Sequence, residues 1–128
     1  MNFVSLSSRI LIVDDEALIA FDFEMTLVDA GYDVLGPATS LDEALAMVSE
    51  ETPRAAVLDI DLNARPVWPL ARKLREAGTH IVFVSANLRH EELAGEFRNE
   101  PQLDKPVCES DLLKALKLGL KEQATHCL

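Results

Sequence analysis

No apolar run in this 128-residue chain exceeds five residues, the length reached at Ala17–Phe21. A bilayer-crossing helix needs roughly 20, so no membrane span is expected. Met1 to Ser8 has neither a basic segment nor a long apolar one, and does not resemble a secretory leader. Cytoplasmic residence is the resulting expectation. Basic residues are scarce: 12 Lys and Arg face 22 Asp and Glu, for a net charge of −10. Nucleic acid is gripped by cations on its phosphates, and this chain has too few; direct nucleic-acid binding and membrane insertion are both excluded as readings. Metal cations and basic partner surfaces suit it better. Cysteine is rare. Cys108 and Cys127 lie 19 positions apart with no CxxC, which reads as two reduced thiols. His80, His90 and His126 have no metal-ligand spacing. Linkers, repeats and low-complexity tracts are also missing. The expectation is one domain over residues 1–128, with a core from about 9 to 121 and short tails.

What is present is a repeated pattern. Ile10-Leu11-Ile12-Val13 runs into Asp14-Asp15, Ala55-Ala56-Val57-Leu58 into Asp59, and Ile81-Val82-Phe83-Val84 into Ser85. These runs are continuous rather than alternating, as in strands buried on both faces. They alternate with helical patterns, the βαβ signature of a parallel sheet. A first helix is predicted from Ala17 to Ala30, stopped by Gly31, with Asp22, Thr26 and Asp29 as its polar stripe and Ala20, Phe23 and Leu27 opposite. Glu24 falls inside the apolar face, where it either snorkels or marks a contact surface. Tyr32–Gly36 reads as a second strand ended by Gly36-Pro37. Ser40-Leu41-Asp42-Glu43 is a capping box opening a helix that Thr52-Pro53 ends. After a loop over 60–65, a third helix is predicted from about Pro66 to Gly78, with Leu70, Ala71 and Leu74 inward and Trp68 packed. Residues 87–101 carry a weak pattern, for which a short or frayed helix is expected. A last helix begins near Cys108–Ser110 and carries Leu112, Leu113, Leu116 and Leu120; Ala124–Leu128 reads as a loose tail.

If the runs are parallel strands, their ends gather Asp14, Asp15, Asp59 and Ser85 on one sheet edge, joined by Lys105-Pro106 after Leu103-Asp104. That edge is where open α/β folds place ligands. Crowded carboxylates repel one another and raise each other's pKa, which a divalent cation relieves. Oxygen donors with little His or Cys nearby favour Mg²⁺. Any one strand-end Asp is more readily a helix cap; the ordered set is harder to explain so. Asp59, on a central strand, is the candidate nucleophile for an aspartyl phosphate. Lys105 would bind a phosphoryl oxygen as a point charge and Ser85 would donate a hydrogen bond. Lys105-Pro106 is also a candidate cis peptide.

This constellation resembles the receiver domain of bacterial response regulators, over nearly the whole chain from Arg9 to Lys121. The resemblance implies a flavodoxin-like doubly wound fold with strand order 2-1-3-4-5 and five helices. It implies transfer of a phosphoryl group from a phosphohistidine on a sensor histidine kinase to Asp59, with self-phosphorylation and autodephosphorylation chemistry rather than conventional enzyme turnover. It implies Mg²⁺ held by Asp14, Asp15, Asp59 and the backbone carbonyl of Asp61, with Ser85 as the switch hydroxyl. Asp61 and Asn87 occupy positions that tune dephosphorylation. Two positions depart from the family pattern. Gln102 stands where an aromatic switch residue is usual, and Asn63 where proline is common. With Leu62-Asn63 and Pro69-Leu70, these resemble an alphaproteobacterial subgroup of single-domain regulators with an altered fourth helix. Arg89 and His90 follow Ser85 in a loop that is a candidate for responding to phosphorylation.

Three functions compete. The first is a stand-alone phospho-receiver; no output domain is expected in the remaining residues, so its signal would pass by protein contacts or phosphorelay, through the face of the last two strands and their flanking helices. The second is a Mg²⁺-dependent phosphatase, because Asp59-Ile60-Asp61 resembles the DxD of haloacid-dehalogenase-type hydrolases, although theirs ends the first strand. The third is a docking module that works without phosphorylation.

Overall fold

A computed structural model describes residues 5–126. The elements run β1 (Ile10–Val13), α1 (Ala17–Asp29), β2 (Val34–Ala38), α2 (Leu41–Glu50), β3 (Ala55–Asp59), β4 (Asp61–Leu62), β5 (Arg65–Pro66), α3 (Trp68–Glu76), β6 (His80–Ser85), α4 (Glu91–Ala94), β7 (Gln102–Asp104) and α5 (Glu109–His126). Five parallel strands form one sheet in the order β2-β1-β3-β6-β7. This is the expected 2-1-3-4-5 order, with the β4–β5 hairpin standing apart as a separate two-stranded pair.

The apolar runs are continuous because both sheet faces are covered. Leu11, Val13, Ala56, Leu58, Ile81 and Phe83 face α2, α3 and the α4 segment. Ile10, Ile12, Ala55, Val57, Val82 and Val84 face α1 and α5. Alternate residues of each strand thus serve opposite cores. A fully buried side chain such as Phe83 or Leu58 contributes roughly 1.5–3 kcal/mol by leaving water, which is ample to fix the register of so short a strand. Ser40 caps α2 as predicted, its Oγ accepting from the Glu43 N–H at 3.1 Å. Gly31 and Gly78 follow α1 and α3 with φ of 93° and 92°, a conformation that favours glycine.

Several local expectations are corrected. Gly36-Pro37 does not end β2 but lies inside it, with a register shift opposite Leu11–Val13 and a cis peptide. Proline is tolerated because β2 is an edge strand, where its missing N–H leaves no ladder bond unmade. The expected 60–65 loop is a tight hairpin, with Asn63 and Ala64 at φ 52° and 64° in its turn. Two consecutive positive φ values match the twist of flanking strands. Pro66 is therefore in β5, and α3 starts two residues later, with Pro69 in its first turn. Thr26, read as polar-face, is buried. Glu24 is half-buried. Helix α5 extends to His126, further than the tail at Ala124–Leu128 allowed; Cys127 lies outside the described residues. Residues 87–101 hold only the four-residue α4, anchored by buried Leu93 and Phe97. Among the described residues no helix is long and apolar enough to cross a membrane.

Candidate functional site

Parallel register carries the end of each strand to one edge. Asp59 ends β3, Ser85 ends β6, Asp14 and Asp15 follow β1, and Lys105 follows β7. Backbone bonds lock the arrangement: the Asp14 N–H donates to Ala38 O at 3.1 Å, and the Lys105 N–H to Ser85 O at 3.0 Å. The Lys105-Pro106 peptide is cis.

Carboxylate oxygens of Asp14, Asp15 and Asp59 lie within 4.8 Å of one another. Lys105 Nζ donates to Asp14 Oδ2 at 2.8 Å and sits 3.6 Å from Asp59 Oδ2. The other Asp14 oxygen accepts from the Glu16 N–H at 2.9 Å. Asp14 is fully buried and Asp59 is only 6% exposed. Burial pushes the Asp59 carboxyl up from its ordinary 3.8 to about 7, and the Asp14 charge pushes the same way; Lys105 pulls it down without prevailing. Lys105 ends up raised. Burial alone would lower its ammonium, but the hydrogen bond and charge of Asp14, with Asp59 behind, outweigh that.

The donor set fits a hard divalent cation: three clustered carboxylates, with no sulfur or imidazole among the converging atoms. A carboxyl held near pH 7 by burial and by a like charge is the group such a cation would return to its ionised form.

The remaining sequence-predicted residues follow β3, end or follow β6, or begin β7. Ser85 is buried, and its hydroxyl is engaged with its own loop, donating to Asn87 O at 3.0 Å and accepting from the Asn87 N–H at 3.1 Å. The Asn87 side chain accepts from the Arg89 N–H at 3.0 Å. The Asp61 side chain is 62% exposed, with Oδ2 3.8 Å from His90 Nε2. Gln102 does not line the acid cluster. Its Nε2 donates to Leu93 O at 2.8 Å and Phe97 O at 3.3 Å, binding the end of the α4 segment. Arg72 and Arg75 of α3 hold that segment from outside through Glu96, and Arg75 also lies over the Phe97 ring at 4.7 Å.

Two contacts escaped sequence reasoning. The Asn63 N–H, in the hairpin turn, donates to Asp15 Oδ2 at 3.1 Å. The signal for it was the absence of proline at that position, since proline has no N–H to give. The other is the approach of His90 to Asp61, for which the sequence offers no local pattern.

A family model described as the response regulator receiver domain matches residues 10–117. The chain belongs to the response regulator receiver family. Among solved structures, a CheY-like receiver from Methanospirillum hungatei is 30% identical, with a TM-score of 0.83 over 95% of this chain and 99% of that one. A receiver protein from Sinorhizobium medicae is 31% identical, with a TM-score of 0.80 over 90% and 95% of the two chains. The receiver domain of PhyR from Erythrobacter litoralis is 27% identical, with a TM-score of 0.75 over 90% and 91%. Among curated proteins, the transcriptional regulatory protein PdtaR of Mycobacterium tuberculosis is 27% identical over 115 residues, which are 88% of this chain and 56% of that protein. The receiver therefore spans about half the length of that relative. The flavodoxin-like fold and the phosphoacceptor class of signalling follow from this membership, and the hydrolase reading is not favoured.

Proposed function

We propose that this receiver accepts a phosphoryl group on Asp59 from the phosphohistidine of a sensor histidine kinase, with Mg²⁺ as cofactor, and passes the signal through protein contacts or onward phosphotransfer in the cytoplasm. The observation that carries the reading is Lys105 Nζ poised between Asp14 and Asp59 beside three converging carboxylates. In the transfer, an Asp59 carboxylate oxygen attacks phosphorus, the P–N bond breaks, and the imidazole leaves with the electron pair. The ionised carboxylate is by far the stronger nucleophile, so the transfer favours Asp59 without its proton. Asp14, Asp15, Asp59 and the Asp61 carbonyl are the groups that would hold the cation. Bound Mg²⁺ supplies positive charge beside the carboxylates and the phosphoryl oxygens. Lys105 neutralises another oxygen, and Ser85, once turned from Asn87, donates to a third.

A partner surface supports the same reading. Leu18, Phe21, Met25 and Val28 form an exposed apolar stripe along α1. A groove of about 440 Å³ between α1 and α5 runs from Ile19 and Met25 to Lys105 and Pro106, so a helix seated there would lie against the site. We assign it to the phosphodonor.

Incubation with phosphoramidate and Mg²⁺, read by intact mass, tests the proposal. The wild type should gain one phosphoryl group, and Asp59→Ala should gain none. No gain under any donor, or an undiminished gain in Asp59→Ala, refutes it. Sustained release of inorganic phosphate from an aryl phosphate would instead favour the phosphatase.

A further inference from the structure

Asp14 and Asp15 stand side by side after β1, but they are held differently. Asp14 is gripped by Lys105 Nζ and by the Glu16 N–H. Among the described residues the Asp15 carboxylate receives one N–H, that of Asn63, at 3.1 Å and from 48 positions away in sequence. Asp15 is only partly buried, so no packing fixes its rotation. Donors of this kind, one bond behind a ligand, decide how well the ligand meets its metal.

The donor itself is firmly mounted. Leu62 before the turn and Val67 beyond it are buried, and the Val67 N–H closes the base of the hairpin on Ile60 O at 3.0 Å. Arg65 reaches Asp42 of α2 at 2.9 Å. In a two-residue turn the closing bond uses the N–H of the residue after the turn, here Arg65, so the Asn63 N–H is spare. Proline could neither give that N–H nor adopt the φ of 52° found there.

We propose that Asn63, through its main-chain amide, is a positioning residue for Asp15, so that the β4–β5 turn and the cation site are energetically coupled. The inference rests on the reading that Asp14, Asp15 and Asp59 hold Mg²⁺. The amide keeps the Asp15 carboxylate in the cluster, where its oxygen lies within 4.8 Å of those of Asp14 and Asp59. Without it Asp15 turns to water, and a cation must first order it, which weakens binding. The coupling is reciprocal: what the amide contributes to cation binding returns as a more tightly closed turn.

An ester in place of the peptide bond between Leu62 and Asn63, made by incorporating the α-hydroxy acid analogue of asparagine, removes the N–H and keeps the side chain. Mg²⁺ affinity is measured by calorimetry at pH 8. The ester should bind Mg²⁺ about tenfold more weakly, the low end of the range for such partners. The same change at Ala64, whose N–H does not meet Asp15, should leave affinity within about twofold, which separates the bond from the turn. Asn63→Gly keeps the N–H and tolerates positive φ, and should bind as the wild type does. In the wild type, saturating Mg²⁺ should slow exchange of the Asn63 amide proton by the same factor of about ten. Wild-type affinity in the ester, an equal loss at Ala64, a loss in Asn63→Gly as large as the ester's, or an exchange rate that Mg²⁺ leaves unchanged each overturns the proposal. A wild type that binds no Mg²⁺ defeats the cation reading itself, and is told apart from these results because each of them requires that the wild type bind.

Discussion

Replacing Asp59 by Asn should make the metal-free protein more stable, and only above mildly acidic pH. The cost removed is that of holding a charge in a buried site beside another carboxylate. Raising the folded-state carboxyl from 3.8 to about 7 lowers stability by ~4 kcal/mol once the group is ionised in both states. Water entering the open mouth of the site screens part of this, leaving an expected gain of about 2–3 kcal/mol. For a chain of this length that raises Tm by roughly 8 °C. The pH dependence has a definite sign. Below about pH 4 Asp59 is protonated whether the chain is folded or not, and the variant gains nothing. Between about 4 and 7 the unfolded chain releases the proton that the folded one keeps, so wild-type stability falls as pH rises; above about 7 the loss is complete.

Urea titrations at pH 4 and pH 8 in EDTA measure the gap directly. It should be near zero at the lower pH and full at the higher. Repeating the pH 8 titration with millimolar Mg²⁺ should stabilise the wild type and close most of the gap, because a ligand bound only by the folded state adds to its stability. A gap that is equal at both pH values, or Asn less stable than Asp at pH 8, refutes the reasoning about burial and like charge. Equal wild-type stability with and without Mg²⁺ refutes the cation site.

Lys105→Met leaves the fully buried Asp14 carboxylate without its counter-charge, and should cost ~3 kcal/mol in urea denaturation at pH 7; a loss below ~1 kcal/mol would show that the pair is not buried in solution. Gln102→Leu strands Leu93 O and leaves Phe97 O with only the Glu100 N–H, so amide exchange across 91–101 should accelerate by about tenfold for ~1.4 kcal/mol of lost local stability, while β1 and β3 stay protected. Unchanged exchange in that segment would refute the clasp. Gly119→Ala should lower Tm even though alanine is the better helix former. The added methyl runs into the His80 ring, whose Nε2 lies 3.1 Å from Ala115 O, and overpacking of that kind costs about 1–3 kcal/mol.

The strands were legible because burial on both faces leaves a continuous apolar run that few other elements produce. Their polar ends were legible for the same reason: the residue after Val13, Leu58 or Val84 is where the core stops. What failed was local and depended on neighbours. Pro37 looks like a strand terminator until β2 is known to be an edge, and edge status belongs to the sheet rather than to residues 32–38. Asn63-Ala64 carries only half of a turn signal, since alanine does not favour positive φ; the Asn63–Asp15 bond helps hold the turn from outside. Thr26 sits on the polar stripe of α1 by spacing, yet the helix packs deeply enough to cover it. At the site, types and order could be read from the sequence. That Ser85 is engaged with Asn87, and that His90 leans toward Asp61, could not, because each depends on how a loop returns.

The departures at Asn63 and Gln102 have a common physical consequence. Each introduces a hydrogen-bond donor where the family pattern favours a residue that could not make the same contact. The Asn63 amide ties the β4–β5 turn to Asp15; the Gln102 amide ties β7 to two carbonyls of the α4 segment. Ser85 ties the near end of the same stretch through both its donor and its acceptor. On the proposed reading, Ser85 can donate to a phosphoryl oxygen only by giving up its bond to Asn87 O, which frees that end. Gln102, 9 residues beyond Leu93 in sequence, and the Arg72–Glu96 pair keep the far end in place. On that reading the change would be confined between Asn87 and Leu93, a stretch containing Arg89 and His90 in which Leu93 is buried and Leu88 packs partly against the core. A receiver with an aromatic switch can report by moving a ring. This one has hydrogen bonds at that place, and on the proposed reading its report would be the release of one end of a short segment whose other end is clasped.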